Sequence, residues 1–435
     1  MPDQPTGTIF VYTISYQGFS LTKQRDLYRL SPTGGAAQLL CSNLAGPGMA
    51  AVSKDGTTLA VVAREQDKVF LHILSAPGWR MQSPVATVTY EIERGQEVTY
   101  EPELRISYDG SLILVTNPKQ EVTYQYARAS GWKVQEKKGL QSNSGMFVQE
   151  ANALITGGGG AVGPTSMDAG VVMAAYYNFV PKSHGVLDSF RKMMPGAPRQ
   201  HAIAILERAE GQYEPHIALQ VPATGELSKI VVSENGDTAV ARYTEEPETQ
   251  HVMHIYAMRR DDPEQRWKAR EVAHPGKTRG IVLSRDGKVL VVSEAPWHSG
   301  GSFRNGSIYP YDVYAVIWDG RDWSTRVKLS GPYEGDTYYG NNIATVSPDN
   351  SVVASFEHDR EGNHYLCCTQ LPSGNRLGMH PTGSLQHDFS PDSQWLAYMK
   401  LRGKTVYRAS VDGSNTEQLF TAAAGDDISV VGWGK

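Results

Sequence analysis

The stretch Gln386–Lys400, QHDFSPDSQWLAYMK, decides how the chain reads. Apolar residues run into Ser390-Pro391-Asp392, and a second apolar run, Trp395 to Met399, follows. Pro391 presets φ and Asp392 can bond its own backbone, so the stretch predicts two short strands joined by a tight turn. The same phrase returns as AVSKDGTTLAVVA (Ala51–Ala63), ISYDGSLILVT (Ile106–Thr116), VVSENGDTAVARY (Val231–Tyr243), VLSRDGKVLVVS (Val282–Ser293) and TVSPDNSVVASF (Thr345–Phe356). Six copies mark a repeat protein.

Working outward from each copy, a third apolar segment ends in a polar turn and an aromatic: Trp79, Trp132, Tyr213, Trp267 and Trp323. A fourth segment follows each aromatic. Short Val, Ile, Leu and Tyr-rich runs bounded by Gly, Asp, Asn and Pro are strand grammar. Four antiparallel strands per unit, repeated every ~45–60 residues, predict the blades of a β-propeller. The gap between Ser107 and Ser233 holds a degenerate copy, MFVQEANALITG (Met146–Gly157). At the C-terminus Asp426–Lys435 reads as an inner strand with nothing after it, and the N-terminus reads as second, third and fourth strands with no first. The expectation is an all-β, eight-bladed propeller of four-stranded blades over 1–435, its last blade closed by both termini. Seven blades is the alternative if Met146–Gly157 is an insertion.

Composition narrows the function classes. The 435 residues carry a formal net charge of −5, too small for a nucleic-acid surface or an acidic tail. No apolar run approaches the roughly 18 residues of a membrane helix. The N-terminal MPDQPTGTIFVYTIS lacks a basic and apolar leader pattern, and the three cysteines, Cys41, Cys367 and Cys368, do not make a disulfide framework. An intracellular, cytoplasmic protein is expected.

Ser390-Pro391-Asp392 before an apolar strand, with VYRASVDGSNTEQL (406–419) after it, resembles the TolB-like and WD40-like propeller repeats, which also form the propeller of prolyl-oligopeptidase-type proteases. The resemblance implies the fold and leaves activity open. No Gly-x-Ser-x-Gly elbow is present, so it does not extend to a hydrolase half.

Blade topology puts the Ser-x-Asp-Gly turns at one end and the loops after strands two and four at the other. The long insertions fall in the second group: 157–200, Ala295–Tyr311, Glu91–Glu103 and Gly331–Asn342. Function is expected on that elaborated face. Arg105, Lys229 and Arg279 start first strands and suit an anionic group, with His387 and Asp427 on another side. Arg304, Tyr309, Tyr311, Tyr333, Tyr338, Tyr339 and Asn341 combine aromatic planes with polar groups that fit a sugar, a cation or a peptide. Ordinary ion pairs and rim tyrosines account for the same residues without function.

Within 157–200, Gly158-x-Gly160-x-x-Gly163 matches a dinucleotide fingerprint formally. The following Pro164 and MDAGVVMAAYYNF read as a strand, where the fingerprint needs a helix N-terminus, so a hinge is expected instead. Ser183–Met194 reads as a short helix, either a lid or a rim element. The twelve histidines show no zinc spacing, and neither a metal nor a cofactor is expected.

Two functions follow from these residues. One is a binding module that takes a small ligand, peptide or protein at the channel mouth. The other is a lyase, isomerase or cyclase acting on a small anionic metabolite, with His387, His298 or His184 as acid or base and Arg105 and Arg279 steadying charge.

Overall fold

The computed structural model describes residues 6–16, 23–46, 48–53, 55–65, 68–81, 84–88, 103–107, 109–117, 122–138, 155–156, 160–165, 171–181, 200–209, 212–222, 224–245, 252–262, 266–295, 311–333, 344–358, 363–382, 386–399 and 404–435. Apart from a single 3-10 turn at Arg128–Ser130, the regular structure among these residues is all strand.

The first sheet opens with β1 (Thr8–Tyr16), β2 (Lys23–Leu30) and β3 (Gln38–Cys41). The next contains β4 (Ala50–Val52), β5 (Thr58–Glu65), β6 (Lys68–Ser75) and β7 (Ala86–Val88), followed by one of β8 (Glu103–Ile106), β9 (Leu112–Asn117), β10 (Val122–Ala127) and β11 (Val134–Lys138). A five-stranded sheet holds β12 (Ile155–Thr156), β13 (Gly160–Thr165), β14 (Val171–Pro181), β15 (Gln200–Ala209) and β16 (Gln212–Pro222). A seven-stranded sheet runs through β17 (Glu226–Val232), β18 (Thr238–Glu245), β19 (Val252–Arg259), β20 (Arg270–Leu283), β21 (Val289–Ala295), β22 (Tyr311–Ile317) and β23 (Thr325–Tyr333). Two four-stranded sheets follow: β24 (Ala344–Val346), β25 (Val352–His358), β26 (His364–Gln370) and β27 (Arg376–Thr382), then β28 (His387–Phe389), β29 (Trp395–Met399), β30 (Thr405–Ser410) and β31 (Thr416–Thr421). The last strand, β32 (Asp427–Gly434), pairs antiparallel with β1, placing Ile9 opposite Trp433 and Thr13 opposite Ile428. Both chain ends therefore contribute to one sheet, in the order β3-β2-β1-β32.

The expected four-strand grouping recurs along the chain, with three departures. First, β20 is one strand of 14 residues where a fourth strand, a loop and a new first strand are expected. Its first half pairs with β19 and its second half with β21, and the register slips between Thr278 and Gly280. Pro275 offers no N–H but still fits at the change of partner, so nothing forces a break there. Second, Gly160 and Gly163 lie within β13, which pairs with β14, so this glycine-rich stretch is sheet and not hinge from Gly160 onward. A strand N-terminus gathers no phosphate dipole, and the dinucleotide match carries no site. Third, Trp79, Trp132 and Trp267 take left-handed backbone, with φ of 47°, 61° and 56°. Each closes its turn by donating its backbone N–H to a carbonyl of the preceding strand: Ser75, Ala127 and Arg259.

The chain divides into two compact units, residues 1–137 with 342–435, and residues 138–341. In the first unit Trp79 is buried edge-on against Phe10, ring centres 4.9 Å apart. Such a pair contributes about 0.5–1.5 kcal/mol beyond its buried area. The first strands β28, β32, β4 and β8 are neighbours in that order. The Trp433 backbone N–H donates to Asp388 Oδ2 at 3.1 Å, and a Cβ on Gly432 would lie only 3.1 Å from Asp388 Oδ2 and 3.2 Å from Val52. In the second unit Ile203, Leu219, Leu227, Ala241, Met258 and Trp267 form one buried cluster joining β15 and β16 to β17, β18 and β19.

Candidate functional site

The Ser-x-Asp-Gly turns satisfy themselves. Ser53 Oγ donates to Asp55 Oδ1 at 2.7 Å and accepts the Thr58 N–H at 2.9 Å, while Asp55 Oδ1 accepts the Thr57 N–H at 2.9 Å. Gly56 supplies the left-handed residue with φ of 71°. The same bonds recur at Ser107 and Asp109, Ser284 and Asp286, and Ser347 and Asp349. Ser390 and Asp392 repeat them, with Ser393 in the left-handed place, and Asn235 replaces the carboxylate beside Ser233. A further copy, Ser410 with Asp412 and Gly413, closes the outer hairpin between β30 and β31.

Consecutive turns are also stapled together. In the first unit Arg128 Nη2 donates to Thr58 Oγ1 at 2.9 Å and to the Gly110 carbonyl at 3.2 Å. In the second, Thr238 Oγ1 donates to the Gly287 carbonyl at 3.0 Å. Two equivalent arginines extend the pattern: Arg29 donates to the Gly78 carbonyl, and Arg408 to the Pro32 carbonyl. Hydroxyls and carboxylates at this end are thus committed to holding turns, and the motif is scaffold.

The opposite end of the first unit collects different groups. The turns after β28, β32 and β4 converge: a Cβ on Gly56 would lie 2.6 Å from the Pro391 ring and 2.8 Å from the Lys435 nitrogen. These first strands therefore run in the same direction, and their starts lie together. The starts carry Gln386 and His387, Asp426 and Asp427, and Met49 and Ala50. Gln386 and Asp427 are exposed and His387 is half-buried, whereas Met49 is fully buried. Arg105, half-buried on the neighbouring β8, sits opposite Leu114. Of the sequence-predicted groups, His387 and Asp427 fall on the adjacent β28 and β32, and Arg105 on β8, with β4 between.

In the second unit, Lys229 lies within β17 where its pairing with β18 slips between Ser228 and Val231. Arg279 occupies the comparable slip in β20. Tyr311 and Tyr333, read from the sequence as members of two separate insertions, are direct cross-strand partners at the ends of β22 and β23. Arg304, Tyr309, Tyr338, Tyr339, Asn341, His298, His184 and the Ser183–Met194 segment lie outside the described residues.

Sequence reading passed over a polar and aromatic cluster on β18, β19 and β20. His254 stacks between Tyr243 and Tyr256, with ring centres 6.1 and 6.0 Å away, and its Nδ1 is 2.8 Å from Glu271 Oε1. Burial, and then Glu271 and Glu245, push the Tyr256 phenol up. The signal that would have found it is alternation: Tyr243 and Glu245, and His254 and Tyr256, each two apart, share a face. Among the described residues no three His, Cys, Asp or Glu side chains stand where they could hold a metal. No helix among them is long and apolar enough to cross a membrane.

No family model matches the sequence, and no curated protein matches it. Among solved structures the chain is similar to an oligogalacturonate lyase in complex with manganese, at 12% identity over 91% of this chain and 94% of that one, with a TM-score of 0.44. It is similar to TolB from Acinetobacter baumannii at 12% identity over 86% and 82% of the two chains, TM-score 0.31. A study of two prolyl endopeptidases provides a third, at 12% identity over 88% of this chain and 50% of that one, TM-score 0.46. The fold assignment rests on strand order and register.

Proposed function

We propose that the chain is an eight-bladed propeller, closed by the sheet that both termini share, and that it acts as a binding module. A small ligand, a peptide or a protein segment docks where the first strands start. The observation that carries this reading is the set of unlike polar groups at the start end of the first unit's first strands, opposite the scaffold turns. Turn-end polar groups are consumed by turn hydrogen bonds and staples. The other end carries an imidazole and a carboxylate, His387 and Asp427, on the adjacent β28 and β32, and a guanidinium, Arg105, on β8 beyond β4. Convergent polar groups on a rigid scaffold are what a binding site needs. Tyr311 and Tyr333 offer a second aromatic element of the same loop class in the other unit. Three unpaired, buried cysteines suit a reducing, cytoplasmic setting.

The test is a thermal-shift screen of wild-type protein against anionic metabolites, oligosaccharides and short peptides. The hit is then titrated calorimetrically into Arg105→Ala, His387→Ala and Asp427→Ala. The expected result is a loss of affinity of about tenfold or more in at least two variants, the scale of one charge-assisted hydrogen bond each. Equal affinity in all three would remove the site from this end. Turnover of the hit by wild type would make the chain an enzyme instead.

A further inference from the structure

Where the turns at Ser53, Ser107, Ser284, Ser347, Ser390 and Ser410 carry an aspartate two residues on, the turn at Ser233 carries Asn235, followed directly by Gly236. An amide differs from a carboxylate in that it donates hydrogen bonds and has no charge to repel a nucleophile at its carbon. Glycine, lacking a Cβ, leaves the next backbone nitrogen unshielded. Asn235 is exposed to solvent, so water reaches the pair.

Both ends of the amide are engaged in the folded turn. Oδ1 accepts from the Ser233 hydroxyl at 2.8 Å and from the Asp237 N–H at 3.1 Å. Nδ2 donates to Asp237 Oδ2 at 2.7 Å and, across to the next turn, to the Asp286 carbonyl at 3.3 Å. The Asp237 N–H needs an acceptor and the Asp286 carbonyl a donor, which settles the orientation of the amide. The Gly236 N–H donates to the Ser233 carbonyl at 2.9 Å. Neither Glu234 nor Asn235 has positive φ, so the turn is type I and holds Asn235 at ψ of roughly 0°. At that ψ the Gly236 nitrogen eclipses the Asn235 nitrogen and stands away from Cβ and Cγ. A five-membered ring through Cγ closes only when ψ turns to bring the Gly236 nitrogen alongside Cβ, and that rotation breaks the turn.

We propose that Asn235 is a deamidation site gated by this turn: closed, the turn withholds the Gly236 nitrogen, and opening delivers it to the amide. In the open turn that nitrogen gives its proton to solvent base and attacks Asn235 Cγ. The N–Cγ bond forms, the Cγ–Nδ2 bond breaks, and Nδ2 leaves as ammonia with a proton from water. Water then opens the succinimide at one ring C–N bond to give aspartate, or at the other to give isoaspartate with an extra carbon in the main chain. The net change is amide plus water to carboxylate plus ammonium, with no oxidant or reductant. Neither product restores the turn. An oxygen in place of Nδ2 faces the Asp237 carboxylate and the Asp286 carbonyl, and burial already pushes the Asp237 carboxyl up against the pull of Arg260. The gate is reinforced by the Thr238 hydroxyl, which donates to the Gly287 carbonyl across the same step at 3.0 Å.

The full chain is incubated at pH 8, folded and in guanidinium chloride, and peptide mass spectrometry follows the amide, aspartate and isoaspartate forms of this turn. Both acids should accumulate in guanidinium, with a native rate at least about tenfold lower because attack waits on local opening. Equal rates overturn the gate, and an amide that survives in guanidinium overturns the site. Thr238→Val removes one staple and keeps the side-chain shape. It should raise the native rate by roughly two- to tenfold, the scale of one lost hydrogen bond, and leave the rate in guanidinium unchanged. A native rate no higher than that of wild type overturns the coupling of gate to staple. Should Thr238→Val not fold, Asn235→Asp decides whether the amide's donors hold the turn: Tm should fall by about 2–4 °C even though aspartate serves the other turns, and an equal or higher Tm overturns that role.

Discussion

Arg259 Nη1 lies 2.7 Å from the carbonyl oxygen of Gly287, across the step from one Ser-x-Asp-Gly turn to the next. The same nitrogen is 2.7 Å from Thr238 Oγ1, while Nε and Nη2 meet Asp261 at 2.6 and 2.8 Å. The guanidinium is almost wholly buried and sits 5.1 Å from the Trp318 ring centre. One side chain therefore ties two consecutive repeats. Arg259→Ala leaves the Gly287 carbonyl and the Thr238 hydroxyl only their bond to each other, and it empties a buried space beside Trp318, so it should destabilise the second unit by about 2–4 kcal/mol. Arg259→Lys should not rescue it, because an ammonium cannot present a fork to Asp261 and reach Gly287 as well. Urea unfolding followed by tryptophan fluorescence measures both; a lysine variant as stable as wild type contradicts the clamp.

Gly287 itself gives a sharper comparison. A Cβ there would lie 2.2 Å from Thr238 Oγ1, on backbone with φ of 71°. Gly131 has similar backbone, φ of 66°, but open space around it. Gly131→Ala should cost only the left-handed strain, about 1 kcal/mol. Gly287→Ala adds a clash with a turn that cannot retreat, for a total of about 2–4 kcal/mol. The ordering of the two unfolding midpoints is the readout, and equal losses would show that the turns are not packed against each other.

Strand grouping was legible because it is written in local chemistry. Ser390, Asp392 and their equivalents specify a turn whose hydrogen bonds span five residues, and alternation sets the strands around it. The aromatic that ends each third strand was visible as well, but not the left-handed backbone of Trp79, Trp132 and Trp267. Indole burial outweighs the backbone cost at Trp79 and Trp267, and propensity does not reveal such an exchange. The continuous β20 was missed because Pro275-Gly276 reads as a break, yet the proline falls where the strand changes partner. Of the residues read from the sequence as a candidate site, those at or near strand ends, His387, Asp427, Arg105, Tyr311 and Tyr333, have a place in the described fold. The cluster around His254 arises from cross-strand neighbours, which spacing along one chain does not encode.

The turn carboxylates make stability sensitive to acid in a defined direction. The Ser410 hydroxyl first, then the Ser414 backbone and hydroxyl, hold the Asp412 carboxyl below its usual range. At Asp349 burial pushes upward, but hydrogen bonds from Ser351, Ser347 and Ser393 outweigh it and the carboxyl is again lowered. Asp109 behaves alike, with Ser111 and Ser107 opposing burial. A folded pKa below the unfolded one contributes stability that is complete above the unfolded value, near 4, and is lost as pH falls through the folded value. Unfolding free energy should therefore be level with respect to these groups above about pH 5 and decline steeply below about pH 4. Asp412→Asn should flatten part of that decline while costing little at pH 7, since Asn235 already fills the same role beside Ser233. Urea midpoints between pH 3 and pH 7 give the comparison, and parallel curves for the two proteins would refute it.

The three cysteines should be silent in the folded chain. Burial, then Asp26 and Glu65, push the Cys41 thiol up to about 11. Burial raises Cys368 to about 12 against the opposing pull of Arg376. Cys367 is raised as well, by burial first and then by Glu357, whose carboxylate Arg376 holds at 2.7 Å. Cys367 and Cys368 are chain neighbours on opposite faces of β26, each completely buried, so neither can reach the other to oxidise. Reactivity needs both thiolate and access, and all three lack both at pH 8. Ellman titration of native protein should release far less than one equivalent within minutes, and three equivalents once denaturant unfolds the chain. Cys41 should lead any slow phase, because its 9% exposure exceeds that of the other two. Rapid release of a full equivalent from Cys367 or Cys368 in the native state would mean that the seam around β26 opens far more readily than its packing implies.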